Sequence, residues 1–187
     1  MTIGPNTVVF FMGDNGAAHI RGKQFCYDEG LHVPLVVLLP PSLRRHARGT
    51  PGRTDRLVEA IDWLPTSLAL AGIPVPPGMQ GRPFLGPGAG APRRYAFGAR
   101  DRCDETVIRL RTVRDERYRW IRNLTPDKGF FEPNAYKAAH YPAWNLVQAL
   151  GREGKLEGAA RRLVEPRLPA TALYDLEADP HALAQHS

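Results

Sequence analysis

The stretch from Thr7 to Pro40, TVVFFMGDNGAAHIRGKQFCYDEGLHVPLVVLLP, constrains the fold more than any other part of the chain. It holds an apolar run, a polar loop and a second apolar run closed by prolines, and reads as strand, loop, strand. Thr7 to Met12 is β-branched and aromatic, as in strands buried on both faces of an α/β sheet. Polarity switches at Gly13, so Asp14, Asn15 and Gly16 sit where a buried strand ends, the place where ligands collect in open parallel sheets. A carboxylate beside an amide oxygen suits a hard cation such as Ca²⁺ or Mg²⁺ better than a soft metal. The same three residues also suit a plain turn, and taken alone they leave both readings open.

The continuation narrows the choice. Gly22-Lys23 follows in the same loop, then Tyr27-Asp28-Glu29-Gly30, then Val33-Pro34 entering the second apolar run. This order resembles the sulfatase family of the alkaline phosphatase-like superfamily, whose members carry Asp-Asn-Gly, Gly-Lys, Tyr-Glu-Gly-Gly and Val-Pro in that succession. The resemblance implies that Asp14 and Asn15 bind calcium and that Lys23 contacts the substrate sulfate. The chemistry agrees, because a sulfate ester builds negative charge as it is cleaved, and a fixed divalent cation and an ammonium point charge both stabilise it. Two positions depart from the family: Asp28-Glu29-Gly30 stands for Glu-Gly-Gly, and His32 for a common Arg. His19 and Arg21 lie between the metal pair and the lysine, each either a contact for a bound anion or a solvated loop cation.

The family nucleophile is a formylglycine made from the Cys or Ser of a Cys/Ser-x-Pro-x-Arg motif. Cys26 runs into Tyr27-Asp28-Glu29-Gly30 and Cys103 into Asp104-Glu105-Thr106-Val107, so neither fits, and no serine does. The two cysteines also form no disulfide framework or metal motif. The resemblance therefore implies the C-terminal part of a sulfatase whose nucleophile lies upstream. The intact enzyme would use Ca²⁺ and formylglycine to hydrolyse a sulfate ester or sulfamate on a small molecule or glycan, and this chain alone would be inactive. The alternatives are a phosphoryl hydrolase of the same superfamily and a non-catalytic chain that binds sulfated glycans through its loop cations.

Composition excludes other classes. At 187 residues and 43% hydrophobic content the chain can build one or two cores. No run reaches the roughly 18 apolar residues of a membrane helix. The net charge of +6 suits an anionic ligand, but it comes from scattered arginines, and no nucleic-acid-binding module is recognisable.

The expected fold is α/β. Residues 1–85 form part of a doubly wound, alkaline phosphatase-like sheet, 86–94 a linker, and 95–187 a small α+β antiparallel subdomain. Val33 to Leu39 reads as the second strand and Arg44 to Arg53 as a basic loop. Apolar residues at 57, 58, 61, 64, 68 and 71 give a helical face to cover the sheet. Pro65 kinks or restarts that helix, with Asp62 near the new N-terminus. Pro51-Gly52, Asp62-x-x-Pro65-Thr66 and Gln80-Gly81 also resemble family segments. Strands are expected at Tyr95–Arg100, Thr106–Arg114 and Tyr118–Asn123, the last two joined as a hairpin, with helices at Asn134–Leu150 and Lys155–Leu163 and a last strand at Leu173–Leu176. Between Gly98 and Glu105, Arg100 and Arg102 either recognise a substrate carboxylate or sulfate in bidentate fashion or belong to a salt-bridged turn.

Overall fold

A computed structural model describes residues 4–47 and 52–186. The tip of the basic Arg44–Arg53 loop and Pro51 lie outside these residues. The described chain is mixed α/β with antiparallel sheets and separates into two units that interleave in sequence: one holds residues 1–12 and 34–96, the other 13–33 and 97–187.

In the first unit, Thr7 N–H donates to the Gly4 carbonyl, making a turn into β1 (Val9–Met12). β1 pairs antiparallel with β2 (Leu35–Leu38), Val9 opposite Leu38 and Met12 opposite Leu35. The expectation of central strands buried on both faces is thereby corrected. Directly opposed residues share a face, and the face carrying Phe11, Val36 and Leu38 is 66%, 58% and 52% exposed at those positions. A buried parallel sheet needs strands on either side, and no other described strand joins this ribbon.

After β2 the chain takes a 3₁₀ turn at Pro41–His46 and another at Ala60–Asp62, which leads into α2 (Trp63–Leu70). Pro65 lies in the first turn of α2, where a missing N–H leaves no bond unmade. The helix therefore starts beside Asp62 and has no kink. Its buried side is Asp62, Pro65, Thr66 and Ala69, while Ile61 and Leu64 of the expected sheet-covering face are exposed.

The buried Asp62 carboxylate instead organises the following loops. It accepts from Glu59 N–H in a capping box, from Arg82 N–H at 2.9 Å and from Arg93 Nε at 2.7 Å. Thr66 Oγ1 donates to the Asp62 carbonyl and accepts from Phe84 N–H. A Cβ on Gly81 would lie 1.9 Å from the Ile61 carbonyl oxygen, so only glycine lets the loop approach this closely.

The second unit holds a four-stranded sheet, β3 (Ala96–Cys103), β4 (Thr106–Arg114), β5 (Tyr118–Asn123) and β6 (Thr171–Asp175), in that spatial order. The β4–β5 and β5–β6 pairs are antiparallel. Asp115 closes the β4–β5 turn, its carboxylate accepting from the N–H groups of Arg117 and Tyr118. The expected Asn134–Leu150 helix is two helices, α3 (Ala135–His140) and α4 (Pro142–Arg152). Tyr141 takes an extended conformation between them because a residue before proline is pushed out of the helical region. Asn134 caps α3 by accepting from Lys137 N–H, and a short α5 (Gly158–Arg162) follows. The main apolar core lies in this unit, with Ile108, Leu110, Ile121, Phe130, Leu168 and Tyr174 among its members.

Candidate functional site

Residues 13–33 are not a loose excursion. Phe25, Cys26 and Tyr27 are buried in the core of the second unit. Phe25 meets Phe130 edge-on at 5.1 Å, and Tyr27 meets Tyr174 at 5.8 Å. Short backbone bonds fold the rest around them: Gly16 N–H to the Gly30 carbonyl, Lys23 N–H to the Ala17 carbonyl, and Phe25 N–H to the Gly22 carbonyl. A Cβ on Gly16 would lie 1.8 Å from the Glu29 carbonyl oxygen, and one on Gly30 would lie 2.3 Å from that of Phe25. Gly16 is thus more than a turn residue, since it clamps the Asp14-Asn15 end of the loop to α1 (Asp28–Leu31).

Asp28, where the sequence departs from the family pattern, anchors the loop to the sheet. Its carboxylate receives Arg119 from β5 and Arg114 from β4, the latter at 2.6 Å, while His32 approaches to 3.6 Å. Burial raises the Asp28 pKa, but the nearby His32 imidazole and the two guanidiniums outweigh it and bring the group down to about 2. Arg119 is itself 3% exposed and also donates to the Cys26 carbonyl and Thr112 Oγ1.

On this frame Asp14 is exposed and Asn15 half-buried, and neither side chain is engaged in a hydrogen bond or ion pair among the described residues. Two free oxygen donors fit part of a hard-cation site. The described residues contain no cluster of three or more His, Cys, Asp or Glu that could hold a metal, so the pair is a partial donor set.

The sequence-derived cations separate on inspection. The Arg21 guanidinium donates to the carbonyls of His181 and Ala182, approaches Glu29 at 3.5 Å and stacks 4.1 Å over the Tyr27 ring. This geometry gives it a scaffold role, pinning the loop to the C-terminal segment. His19 is exposed. Arg102 is also exposed and donates through Nε to the Asp104 carbonyl within the β3–β4 turn, where Asp104 has φ 51°. The ion pair near this turn is Asp101 with Arg111 at 2.8 Å. Arg100 differs, being buried over the Phe25 ring with its Nε and Nη1 lacking any hydrogen-bond partner.

Lys23 sits with Nζ 5.9 Å from the Tyr136 ring of α3. The same helix carries Lys137, a buried lysine that sequence reasoning missed, with Nζ 4.6 Å from Phe25 and 4.7 Å from Trp144. Burial, with Arg100 adding repulsion, brings its pKa down to about 8. The signal in the sequence is a cluster of aromatic residues around this lysine, Tyr136, Tyr141 and Trp144, which could supply rings to a buried cation. Cys26 is 1% exposed with its thiol pushed up to about 11 by burial, as suits an inert core residue.

A family model described as Sulfatase matches residues 3–73. An ulvan-active sulfatase of Formosa agariphila is 33% identical over 178 residues, covering 95% of this chain and 29% of that protein. A putative sulfatase from Bacteroides thetaiotaomicron superposes with a TM-score of 0.61 at 22% identity, over 97% of this chain and 32% of that one. A third match is a structure in complex with its substrate D-glucosamine-2-N,6-O-disulfate, with a TM-score of 0.55 at 19% identity, over 97% of this chain and 30% of that one. The fold is accordingly that of the alkaline phosphatase-like proteins, and the chain spans about a third of the length of the proteins it matches.

Proposed function

The chain belongs to the sulfatase family, and on that premise we propose that it is the C-terminal portion of an enzyme hydrolysing a sulfate ester or sulfamate on a glycan. The observation that carries this reading is the pair of unengaged oxygen donors, Asp14 and Asn15, in the same glycine-clamped loop as Lys23. A sulfated polysaccharide or oligosaccharide is the substrate class supported by the ulvan-active relative and by the disulfated glucosamine of the structural neighbour.

In this reading Asp14 and Asn15 give two ligands to calcium, on which the family generally depends, and the remaining ligands come from elsewhere in the intact enzyme. Bound there, calcium supplies a fixed divalent charge to the sulfate oxygens. Lys23 holds its ammonium toward the same oxygens and stabilises charge as the ester bond breaks. The exposed His19 and Arg102 side chains are available to the rest of a glycan, and Arg21 keeps the loop in place. For the intact protein the proposed division is an α/β domain over residues 1–85, a linker over 86–94 and a subdomain over 95–187, with the 13–33 loop of the first packed in the core of the last. Neither Cys26 nor Cys103 lies in a formylglycine motif, so the isolated chain is expected to release no sulfate.

Matched aryl sulfate and aryl phosphate substrates, assayed on the protein translated from the whole reading frame, test the proposal. Faster sulfate turnover that is lost on calcium chelation is the expected result. Preference for the phosphate would instead make it a phosphoryl hydrolase.

A further inference from the structure

Arg100 on β3 and Lys137 on α3 are 8% and 1% exposed. Neither is in an ion pair with a carboxylate among the described residues. Both lean on one ring, with Arg100 Cζ 4.5 Å and Lys137 Nζ 4.6 Å from the centroid of Phe25. Lys137 also lies 4.7 Å from the ring of Trp144 and 6.0 Å from that of Tyr141. Contact with aromatic faces offsets part of the cost of burying a cation. It does not satisfy Arg100 Nε–H and Nη1–H, which have no acceptor, and two buried like charges disfavour each other.

One kind of ligand relieves both penalties. A carboxylate or sulfate group accepts two parallel hydrogen bonds from a guanidinium and pairs with an ammonium. We infer that Arg100 and Lys137 form a binding subsite for such a compact oxyanion, walled by Phe25, Tyr141 and Trp144. Lys23, against Tyr136 of the same helix, is the neighbouring cation. A sugar bearing a sulfate and a second acidic group is the ligand class that engages Lys23 and the subsite together. That extension rests on the sulfate role proposed for Lys23; the subsite itself does not.

The test is calorimetric titration of the 187-residue chain with sodium sulfate, sodium glucuronate and a sulfated monosaccharide, each at matched ionic strength. Saturable binding is expected, weakened about tenfold or more by Arg100→Met or Lys137→Met and kept by Lys137→Arg. Tighter binding of a sugar acid than of inorganic sulfate supports the subsite and identifies the occupant as part of a glycan; the reverse supports it as a site for the free anion. Loss of binding in Lys23→Met with none in Lys137→Met overturns the subsite while sustaining the function proposed above. Absence of saturable binding by any of the three also overturns it. Independently of any variant, the titration is expected to shift the amide resonances of Ala99 to Asp101 and Tyr136 to Ala138 in the wild-type chain. Shifts confined to other residues contradict the assignment.

Discussion

Asp28 and Lys137 show how differently two buried charges are treated within one unit. Asp28 is paired on both oxygens, so Asp28→Asn is expected to cost about 3–5 kcal/mol by leaving Arg119 buried without its partner, read as a lower urea midpoint. Its pKa in the folded chain, about 2, lies below the ordinary 3.8. The stabilisation is thus complete above the ordinary value and is lost as pH falls through about 2, which circular dichroism during acid titration can follow. Lys137 has the opposite sign. With a folded pKa of about 8 against the ordinary 10.5, its charge opposes folding at neutral pH, and stability rises as pH climbs from the first value to the second. Lys137→Met is expected to stabilise the chain by about 1–2 kcal/mol at pH 7, the charge penalty exceeding the lost ring contacts, with the difference closing once wild-type Lys137 is neutral. A lysine retained at a cost in stability is consistent with a binding role. Asp14, Asn15 and Lys23 are singled out by residue order alone, and their proposed roles rest on it. Lys137 was not legible, since lysines are almost never fully buried and nothing local marks this one except its aromatic neighbours.

Elements whose pattern is local were the easiest to read. β4 and β5 begin and end where the sequence places them, because alternation sets the strands and Asp115 sets the turn. The break between α3 and α4 turns on Pro142, a local signal outweighed in the sequence reading by the apolar periodicity around it. The burial of Phe25 and Tyr27 depends on Phe130 and Tyr174, residues far along the chain, so the site loop's place in the antiparallel unit could not be read from the loop itself. Two substitutions test these elements. Gly30→Ala sets a methyl against the Phe25 and Gly22 carbonyls and is expected to unfold the loop, seen as rapid proteolysis between Gly13 and Val33. Thr66→Val removes the acceptor for Phe84 N–H and is expected to cost about 1–2 kcal/mol in thermal unfolding.

At the scale of the molecule, the two units differ in how fully they are built. The second unit has an extensive apolar core, whereas the first unit leaves Phe11, Val36 and Leu38 together on one ribbon face and Ile61 and Leu64 bare at the start of α2. Apolar surface of this kind ordinarily meets a partner, so the chain alone is expected to self-associate with rising concentration in sedimentation velocity, and Phe11→Lys to reduce the association. The doubly wound sheet anticipated from the apolar runs requires strands beyond this ribbon, which explains why strand positions were readable and their pairing was not. The central claim is that this loop serves a sulfatase, and the most direct measurement is sulfate release by the protein of the whole reading frame, compared with its Lys23→Ala variant and with the 187-residue chain. The account predicts a fall of about 10²- to 10³-fold in kcat for the variant and no turnover by the isolated chain. Turnover unchanged by Lys23→Ala, or sulfate release by these 187 residues alone, would contradict it.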